Sequence, residues 1–581
     1  MHGEVFLQGG PRAAWRRFCQ PIAIVETRAL ADVPAQLRAI ELAVNERGLH
    51  AAGFLSYEAG PAFDRALRAP SSTALPLLWF GLYDRVETLD RLPDCDRAVY
   101  SVGLWTPTVT WREYERAIHA ITQHIADGET YQVNYTYRLR APFDGEAWPF
   151  FLSLAHKQPV GYAAYVDTGR HVICSASPEL FFQLSGRTLA SRPMKGTAAR
   201  GRTLTEDRAN QHWLHHSEKN RAENVMIVDM IRNDLGRVAD IGSVEVPGLF
   251  EIERHPTVLH MTSTVTAQTD APLSEILGAL FPCASITGAP KVRTMEIIHQ
   301  LETTPRGVYT GCIGTLSPER AAQFSVAIRT VTIDRETGQA EYGVGGGIVW
   351  DSDAADEFRE CEIKTRVLTQ SWGPFDLVES ILWTPDAACF LLGRHFQRLV
   401  ESAEYFDIPI DLRAINHQLA ALSATLTPAA HKLRVSVSQL GAVSVTATPL
   451  SDLSLPQPLR VRLAAQPVDS TEVWLFHKTT RREVYEAAIA GQPACDDVIL
   501  WNERGEITES TIANVVVEVN GELVTPPIES GVLAGTFRSW LLDERAIRER
   551  VIVIGELRAA RRIYLINSVR RWLDVVLDSP S

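Results

Sequence analysis

Apolar and polar positions along the chain follow two rhythms. A period of two runs through YQVNYTYRL (131–139), VGYAAYV (160–166), HVICSASPELFFQL (171–184), TGCIGTL (310–316) and FSVAIRTVTI (324–333). Such alternation predicts strands of antiparallel sheets with one wetted face. A helical period marks WREYERAIHAITQHIADGE (111–129) and Asp356–Leu368, where Phe358, Ile363, Val367 and Leu368 recur among charges. SEKNRAENVMIVDMIRNDLGRV (217–238) is apolar on several sides and predicts a buried helix. Strands and helices do not alternate as a regular βαβ series, so the fold class expected is α+β.

The pattern breaks at Gln370–Asp376, QSWGPFD, where Gly373-Pro374 punctuates the end of a helical run. Beyond it, LVESILW predicts a strand and GRHFQRLVESAEYF an amphipathic helix. A weaker break falls near Pro107. No short internal repeat or low-complexity tract interrupts either part. The organisation expected is a unit over 1–370, a linker over 371–375 and a second unit over 376–581. A length of 581 residues accommodates two such large units.

Composition narrows the class without choosing a function. With 45% hydrophobic and 22% charged residues, the chain reads as ordinary globular protein. Disorder, collagen, coiled coil and a small disulfide scaffold are thereby excluded. A net charge of −13 argues against nucleic acid and anionic membranes as partners. The chain shows no 18-residue apolar run and no charged-then-apolar leader, so no membrane span or signal is expected. Eight scattered cysteines without zinc spacing point to a reducing, cytoplasmic setting.

Candidate chemistry is ambiguous residue by residue. Gly343–Gly347 in YGVGGGIVWDSD fails the dinucleotide pattern, since Ile348 stands at its third glycine. A plain turn and a stretch of backbone N–H groups approaching an anion are both open readings. Lys195, between Pro193 and Gly196, alone reads as a solvated turn lysine. Glu179 follows a proline at a strand edge. Glu223 sits among apolar residues, where an ionised carboxylate needs a partner or a metal. Glu357 and Glu360 share one helical face with Lys364 a turn on, either a solvated acidic face or a Mg²⁺ site.

In order, SASPELFF, RPMKGTAARG, SEKNRAENVMIVDMIRNDLGRV, SITGAPKVRTME, YTGCIG, FSVAIRT, GVGGGIVWDSD and EFRECEIKT resemble the chorismate-binding enzyme family over about residues 110–370. That family includes anthranilate, isochorismate, salicylate and aminodeoxychorismate synthases. The resemblance implies an N-terminal fold with two large antiparallel sheets and a Mg²⁺-dependent reaction on chorismate. Isochorismate and salicylate synthases carry a water-activating Lys where this chain has Gln132. Anthranilate synthases typically carry Ala where this chain has Lys195. In aminodeoxychorismate synthases the matching Lys attacks C2 of the ring as the C4 hydroxyl leaves, and ammonia then displaces it at C4. By the same resemblance Glu179 is the general acid and Glu223, Glu357 and Glu360 carry Mg²⁺. Arg329 and Tyr309 match substrate-carboxylate positions. Ser285, Gly288, Gly345 and Gly347 match backbone or hydroxyl contacts, and Lys364 stands beside the metal carboxylates. His260 matches a histidine near the ring, and a satisfied core histidine is an equal reading. No glutaminase unit is found, so ammonia is expected from a separate glutamine amidotransferase subunit or from solution. No tryptophan-pocket motif is found in the first hundred residues, where AGFLSYEAGPAF replaces the familiar pattern.

Residues 376–581 contain WLFHKTTRREVYEAA, RGEITESTIANVVVEVNGELVTPPIESGVLAGTFRSWLL and IYLINSVRRWLDV. ESGVLAGTFRSWLL reads as a glycine-punctuated turn opening a helix near Thr536, a ready anion site. The combination resembles fold-type IV pyridoxal-phosphate enzymes: branched-chain and D-amino-acid aminotransferases and aminodeoxychorismate lyase. The resemblance implies a two-subdomain α+β unit in which Lys478 bonds pyridoxal 5′-phosphate and Glu509 pairs with its ring nitrogen. Arg398, Gly535, Thr536 and Ser568 would hold the phosphate. INSVR and FDLVESILW look more like the lyase than the aminotransferases. Arg571 departs from that motif, which usually has Gly there. This half is also shorter than most free-standing relatives, at its beginning.

The function expected is conversion of chorismate and ammonia to 4-amino-4-deoxychorismate, then elimination of pyruvate to give 4-aminobenzoate for folate. The alternative is an aminodeoxychorismate or anthranilate synthase component joined to an aminotransferase. A homodimer is expected by analogy alone.

Overall fold

The computed structural model describes all residues except 1, 11–12, 71–73, 96–98, 159, 370–372, 454, 457, 493–494 and 579–581. Part of the expected linker, 371–372, and the last residue of the expected first unit, 370, therefore lie outside the described residues. The chain forms two compact units, Met1–Ala199 with Gln211–Gly373, and Arg200–Asn210 with Pro374–Ser581. No described helix is long and apolar enough to cross a membrane.

Among the described residues, the first unit holds an eleven-stranded and a ten-stranded sheet. In the larger sheet the strand Gln132–Gly145 pairs antiparallel with Gln339–Ile348, from Gln339 opposite Pro142 to Ile348 opposite Val133. The glycines 343–347 therefore lie in a strand, which replaces the turn reading of the sequence. In the smaller sheet Met194–Ala199 pairs with Val258–Gln268, setting Thr197 opposite His260.

Two runs that read as single strands are each broken in the middle. HVICSASPELFFQL forms His171–Ser177 in the larger sheet and Leu180–Ser185 in the smaller one. FSVAIRTVTI likewise divides into Ala321–Val326 and Thr330–Asp334, again one in each sheet. Glu179 and Arg329 stand at these two sheet-to-sheet bends, and Arg329 takes a positive φ of 51°. The bends are tied together: Ala176 N donates to Arg329 O (3.1 Å), and Val326 N donates to Glu179 O (3.1 Å). Ser177 Oγ adds a bond to Val326 O at 2.6 Å.

The expected helices form. Trp111–Ala126 opens on a capping box between Thr110 and Glu113. Ala354–Thr369 carries Glu357, Glu360 and Lys364. Glu218–Gly236 buries Asn224, Ile227, Val228, Ile231 and Leu235, one face at helical spacing, while Val225 is exposed. Its apolar residues on several sides had predicted fuller burial. The opposite face is left outside because the helix packs on one sheet only, against Met194–Ala199 and Val258–Gln268.

In the second unit, Asp376–Thr384, Ala388–Cys389, His431–Ser438 and Val443–Pro449 form a four-stranded antiparallel sheet. An eight-stranded sheet is mixed, with Leu459–Leu463 parallel to both Asp497–Trp501 and Arg571–Leu577. The helix Leu392–Phe406 buries His395, Leu399, Ser402, Ala403 and Tyr405. The segment Arg200–Asn210 belongs to this unit: the Arg200 guanidinium covers the Tyr405 ring at 4.4 Å, and Tyr405 donates to Gly201 O at 2.7 Å.

Candidate active sites

In the first unit the sheet-to-sheet bend delivers Glu179 into the interior, where it is 3% exposed. Ser285 Oγ donates to Glu179 Oε1 at 2.6 Å. Burial pushes the carboxyl up to about 7, against the pull of Ser285 and Lys195. The group is thus a proton carrier close to neutrality. Lys195 comes from Met194–Ala199 of the ten-stranded sheet, which also holds Leu180–Ser185. Its amine is lowered by burial, with Glu223 and Glu179 opposing the shift, so a neutral, nucleophilic form is within reach.

Gly347 explains itself at this point. A Cβ there would lie 3.0 Å from Lys195 Nζ and 2.0 Å from Gln132 Nε2. The strand must be bare for these side chains to fit. Gly345 and Gly288 are bare for backbone reasons, since a Cβ would meet Tyr135 O at 2.2 Å and Gln132 O at 2.0 Å respectively. Lys364 Nζ donates to Gly345 O (2.9 Å) and pairs with Glu360 Oε1 (2.6 Å).

The three acids expected at a metal lie around this lysine pair. Burial raises the Glu223 carboxyl, against Lys195 and Lys219. Burial also raises Glu357, whose Oε1 accepts from Ser352 Oγ at 2.7 Å. Glu360 is lowered, chiefly by Lys364. Oxygen donors of this kind suit a hard divalent cation, and a cation would relieve the two half-buried acids. Among the described residues, however, no three His, Cys, Asp or Glu come close enough to hold a metal ion. Glu360 is committed to Lys364 instead.

His260 lies beside Arg329, whose Nη2 donates to its Nε2 at 3.2 Å. The ring hydrogen is then on Nδ1, which faces Thr197 Oγ1 at 3.2 Å. Burial, with Arg329 adding to it, holds the imidazole well below its ordinary range, so His260 is neutral. Tyr309 has its ring 5.0 Å from the Arg138 guanidinium and packs against Gly343. Asn224 was not singled out by its sequence. Buried beside Glu223, it donates to Lys195 O (3.2 Å) and accepts from Ser263 Oγ (2.6 Å), fixing the lysine's backbone.

The second unit encloses a cavity of about 610 Å³ lined by Lys478, Glu509, Arg398, Gly535, Thr536 and Ser568 among others. Burial first and Arg398 second lower the Lys478 amine to about 8. Burial pushes Glu509 up to about 7, although Tyr485 Oη (2.8 Å) and Asn514 Nδ2 (3.2 Å) donate to it. Gly535 caps the helix Thr536–Asp543. Its missing Cβ would sit 1.9 Å from Asn514 Oδ1. Arg398 is held by Glu379 through Nε (2.9 Å) and Nη2 (2.7 Å). His395 Nδ1 donates to the same carboxylate (2.6 Å), and its Nε2 stands 3.3 Å from Thr536 Oγ1. Burial would raise Glu379, but Arg398 and His395 hold it at about 2. Glu379 and His395 were missed in the sequence because LVESILW and GRHFQR read as plain secondary structure. Ser568 Oγ donates to Ser380 O (3.2 Å). A half-buried amine lowered towards neutrality, a buried acid without a paired cation among the described residues and a helix N-terminus fit pyridoxal phosphate in donor chemistry.

Arg571, the departure from the motif, has φ 61° and stacks its guanidinium 4.8 Å over the Phe390 ring. A glycine takes that backbone conformation without strain.

Protonation makes one measurable difference. Glu179 is ordinarily near 4.5 and is raised to about 7 when folded. Between these values the folded chain binds more protons than the unfolded one. This stabilisation is fully present below pH 4.5 and is lost as pH rises through 7. Thermal melts of Glu179→Gln are expected to fall less steeply over that window than wild type, by about 1.4 kcal/mol per pH unit at most. Parallel curves would refute the neutral form.

Residues 4–370 match the model of the chorismate binding enzyme family, and residues 376–577 match amino-transferase class IV. A Klebsiella aerogenes aminodeoxychorismate synthase component 1 is 38% identical over 347 residues, 55% of this chain and 76% of that protein. A Streptomyces griseus aminodeoxychorismate synthase is 44% identical over 260 residues, 44% of this chain. The match spans only 35% of that longer protein. Anthranilate synthase component I from Streptococcus pneumoniae shares the fold, with TM-score 0.53 and 23% identity over 64% of this chain and 93% of that one.

Proposed function

From the premise that the chain belongs to the chorismate binding enzyme family, we propose that it turns chorismate and ammonia into 4-amino-4-deoxychorismate. Its class IV aminotransferase unit would then release pyruvate to leave 4-aminobenzoate, a folate precursor. One observation carries this reading. Each unit sets a lysine with a lowered amine beside a buried carboxyl raised to about 7: Lys195 with Glu179, and Lys478 with Glu509.

In the first step the Lys195 amine forms a bond to ring carbon 2 while the bond from carbon 4 to its hydroxyl breaks. Glu179 gives that hydroxyl its proton, so it leaves as water. Ammonia then bonds to carbon 4 and the Lys195 bond breaks, returning the amine. Gln132 offers no base to activate water in place of ammonia. Arg329, with neutral His260 and Tyr309, is proposed to hold the substrate's carboxylates, with Ser285, Gly288, Gly345 and Gly347 shaping the space around the ring. Glu223, Glu357 and Glu360 would hold Mg²⁺, which would neutralise a carboxylate, once Glu360 exchanges Lys364 for the metal. A separate glutamine amidotransferase subunit is proposed as the ammonia source.

In the second step bound pyridoxal phosphate supplies an electron sink. Lys478 would hold it and would take the proton from ring carbon 4 of the substrate. Glu509 would pair with its ring nitrogen. Arg398, Gly535, Thr536 and Ser568 would hold the phosphate, with Glu379 and His395 fixing the first and third of these. The bond from ring carbon 3 to the enolpyruvyl oxygen breaks, the departing group takes the proton held by Lys478 to become pyruvate, and the ring becomes aromatic, which drives the reaction forward.

Product analysis with chorismate, ammonium, Mg²⁺ and pyridoxal phosphate tests the scheme. Equal 4-aminobenzoate and pyruvate are expected, and chelating Mg²⁺ is expected to abolish the first step while sparing the second on supplied aminodeoxychorismate. Anthranilate as product would overturn the role of Lys195. Aminodeoxychorismate accumulating without pyruvate would favour an aminotransferase in the second unit.

A further inference from the structure

The cavity around Lys478 has a second wall that the scheme leaves unused. Its lining includes Lys432, Arg434, Arg482 and Arg570. Lys432 and Arg434 alternate on one face of the strand His431–Ser438, while Leu433, Val435 and Val437 on the other face are buried in the core. Val378 and Ser380, opposite Ser436 and Arg434 on the neighbouring strand, complete that face. Arg570 stands in the turn after Asn567, whose Oδ1 accepts from its backbone N at 2.8 Å. Arg482 Nη2 donates to Thr511 O.

Among the described residues Glu509 is the only acid in this lining, and it is engaged with Tyr485 and Asn514. Among the described residues, none of these four cations has an ion pair within 4 Å. One solvated arginine would call for no explanation. Four cations converge on one cavity whose lining holds a single acid, Glu509, and they repel one another. Lys432 is lowered by burial and then by Arg434, Arg570 and Arg482. Such an arrangement is stable in function only when an anion enters it.

We propose that Lys432, Arg434, Arg482 and Arg570 form the subsite for the carboxylates of a ring-borne dicarboxylate whose amine faces Lys478. This rests on the elimination reading of the second unit and adds its substrate selection: two carboxylates rather than one.

The test uses the full-length protein loaded with pyridoxal phosphate, and probes benzoate against isophthalate, rings with one and two carboxylates. Binding is read from the change in cofactor absorbance, and catalysis from pyruvate released on supplied aminodeoxychorismate. Wild type is expected to bind isophthalate about tenfold or more tightly than benzoate. Arg434→Gln and Lys432→Gln should each erase that preference. They should also raise KM about ten- to a hundredfold with kcat nearly constant, and Arg434→Lys should restore part of the loss. Cofactor absorbance should stay as in wild type. Equal binding of the two probes by wild type, or unchanged KM in both variants, would overturn the subsite. Wild type that prefers isophthalate yet releases no pyruvate would instead remove the elimination reading and leave the subsite standing.

Discussion

Lys195→Ala is expected to lower formation of aminodeoxychorismate by at least about a thousandfold, the scale on which losing a covalent nucleophile acts. The replaced side chain leaves Glu179 and Glu223 without their cation. The acid should therefore rise further and the pH profile shift upward with the loss. The second unit supplies the control, since pyruvate release from supplied aminodeoxychorismate should be unchanged. Full chorismate turnover to 4-aminobenzoate by this variant would remove the covalent route. A collapse of both activities would show that the substitution unfolds the chain and calls for Lys195→Met, which keeps the stem and loses the amine.

Lys478→Ala is the reciprocal case. Absorbance at the visible edge on adding pyridoxal phosphate should vanish, and pyruvate release should fall by at least about a thousandfold. Aminodeoxychorismate should then accumulate from chorismate and ammonia, because the first unit is untouched. With an amine lowered to about 8, wild-type uptake of the cofactor should quicken as pH rises from 6 to 8. Pyruvate release persisting in the variant would take the lysine out of the reaction.

Much of the fold was legible because periodicity reports which face is buried. The helices Trp111–Ala126, Ala354–Thr369 and Leu392–Phe406 and the strands Gln132–Gly145, Tyr162–Asp167, Cys312–Ser317 and Asp376–Thr384 all followed from it. What periodicity could not give was the change of sheet inside HVICSASPELFFQL and FSVAIRTVTI. Pro178 marks a strand edge and alternation continues across Arg329, but neither announces that the two halves pair with different partners. The glycine run was ambiguous for a related reason. Its function as bare strand depends on Lys195, Gln132 and Tyr309, which are distant in sequence. Spacing alone picked out Glu357, Glu360 and Lys364, but not that Glu360 would be taken by the lysine. Asn224, Glu379 and His395 carried no signal, being polar residues within ordinary apolar patterns. Lys432 and Arg434 were equally silent. A cation without a partner is a property of its surroundings.

The paired bends have a kinetic consequence. The bond from Ser177 to Val326 joins residues 149 apart in the sequence, and closing so long a loop costs about 4 kcal/mol in chain entropy. Neither bend has its partners until the other arrives, so Glu179 reaches its interior position only after this long-range closure. A nascent chain that has not yet synthesised residue 326 can fold helices and hairpins but has no acid in place. The proposed general acid is therefore in place only once this long-range closure has been made.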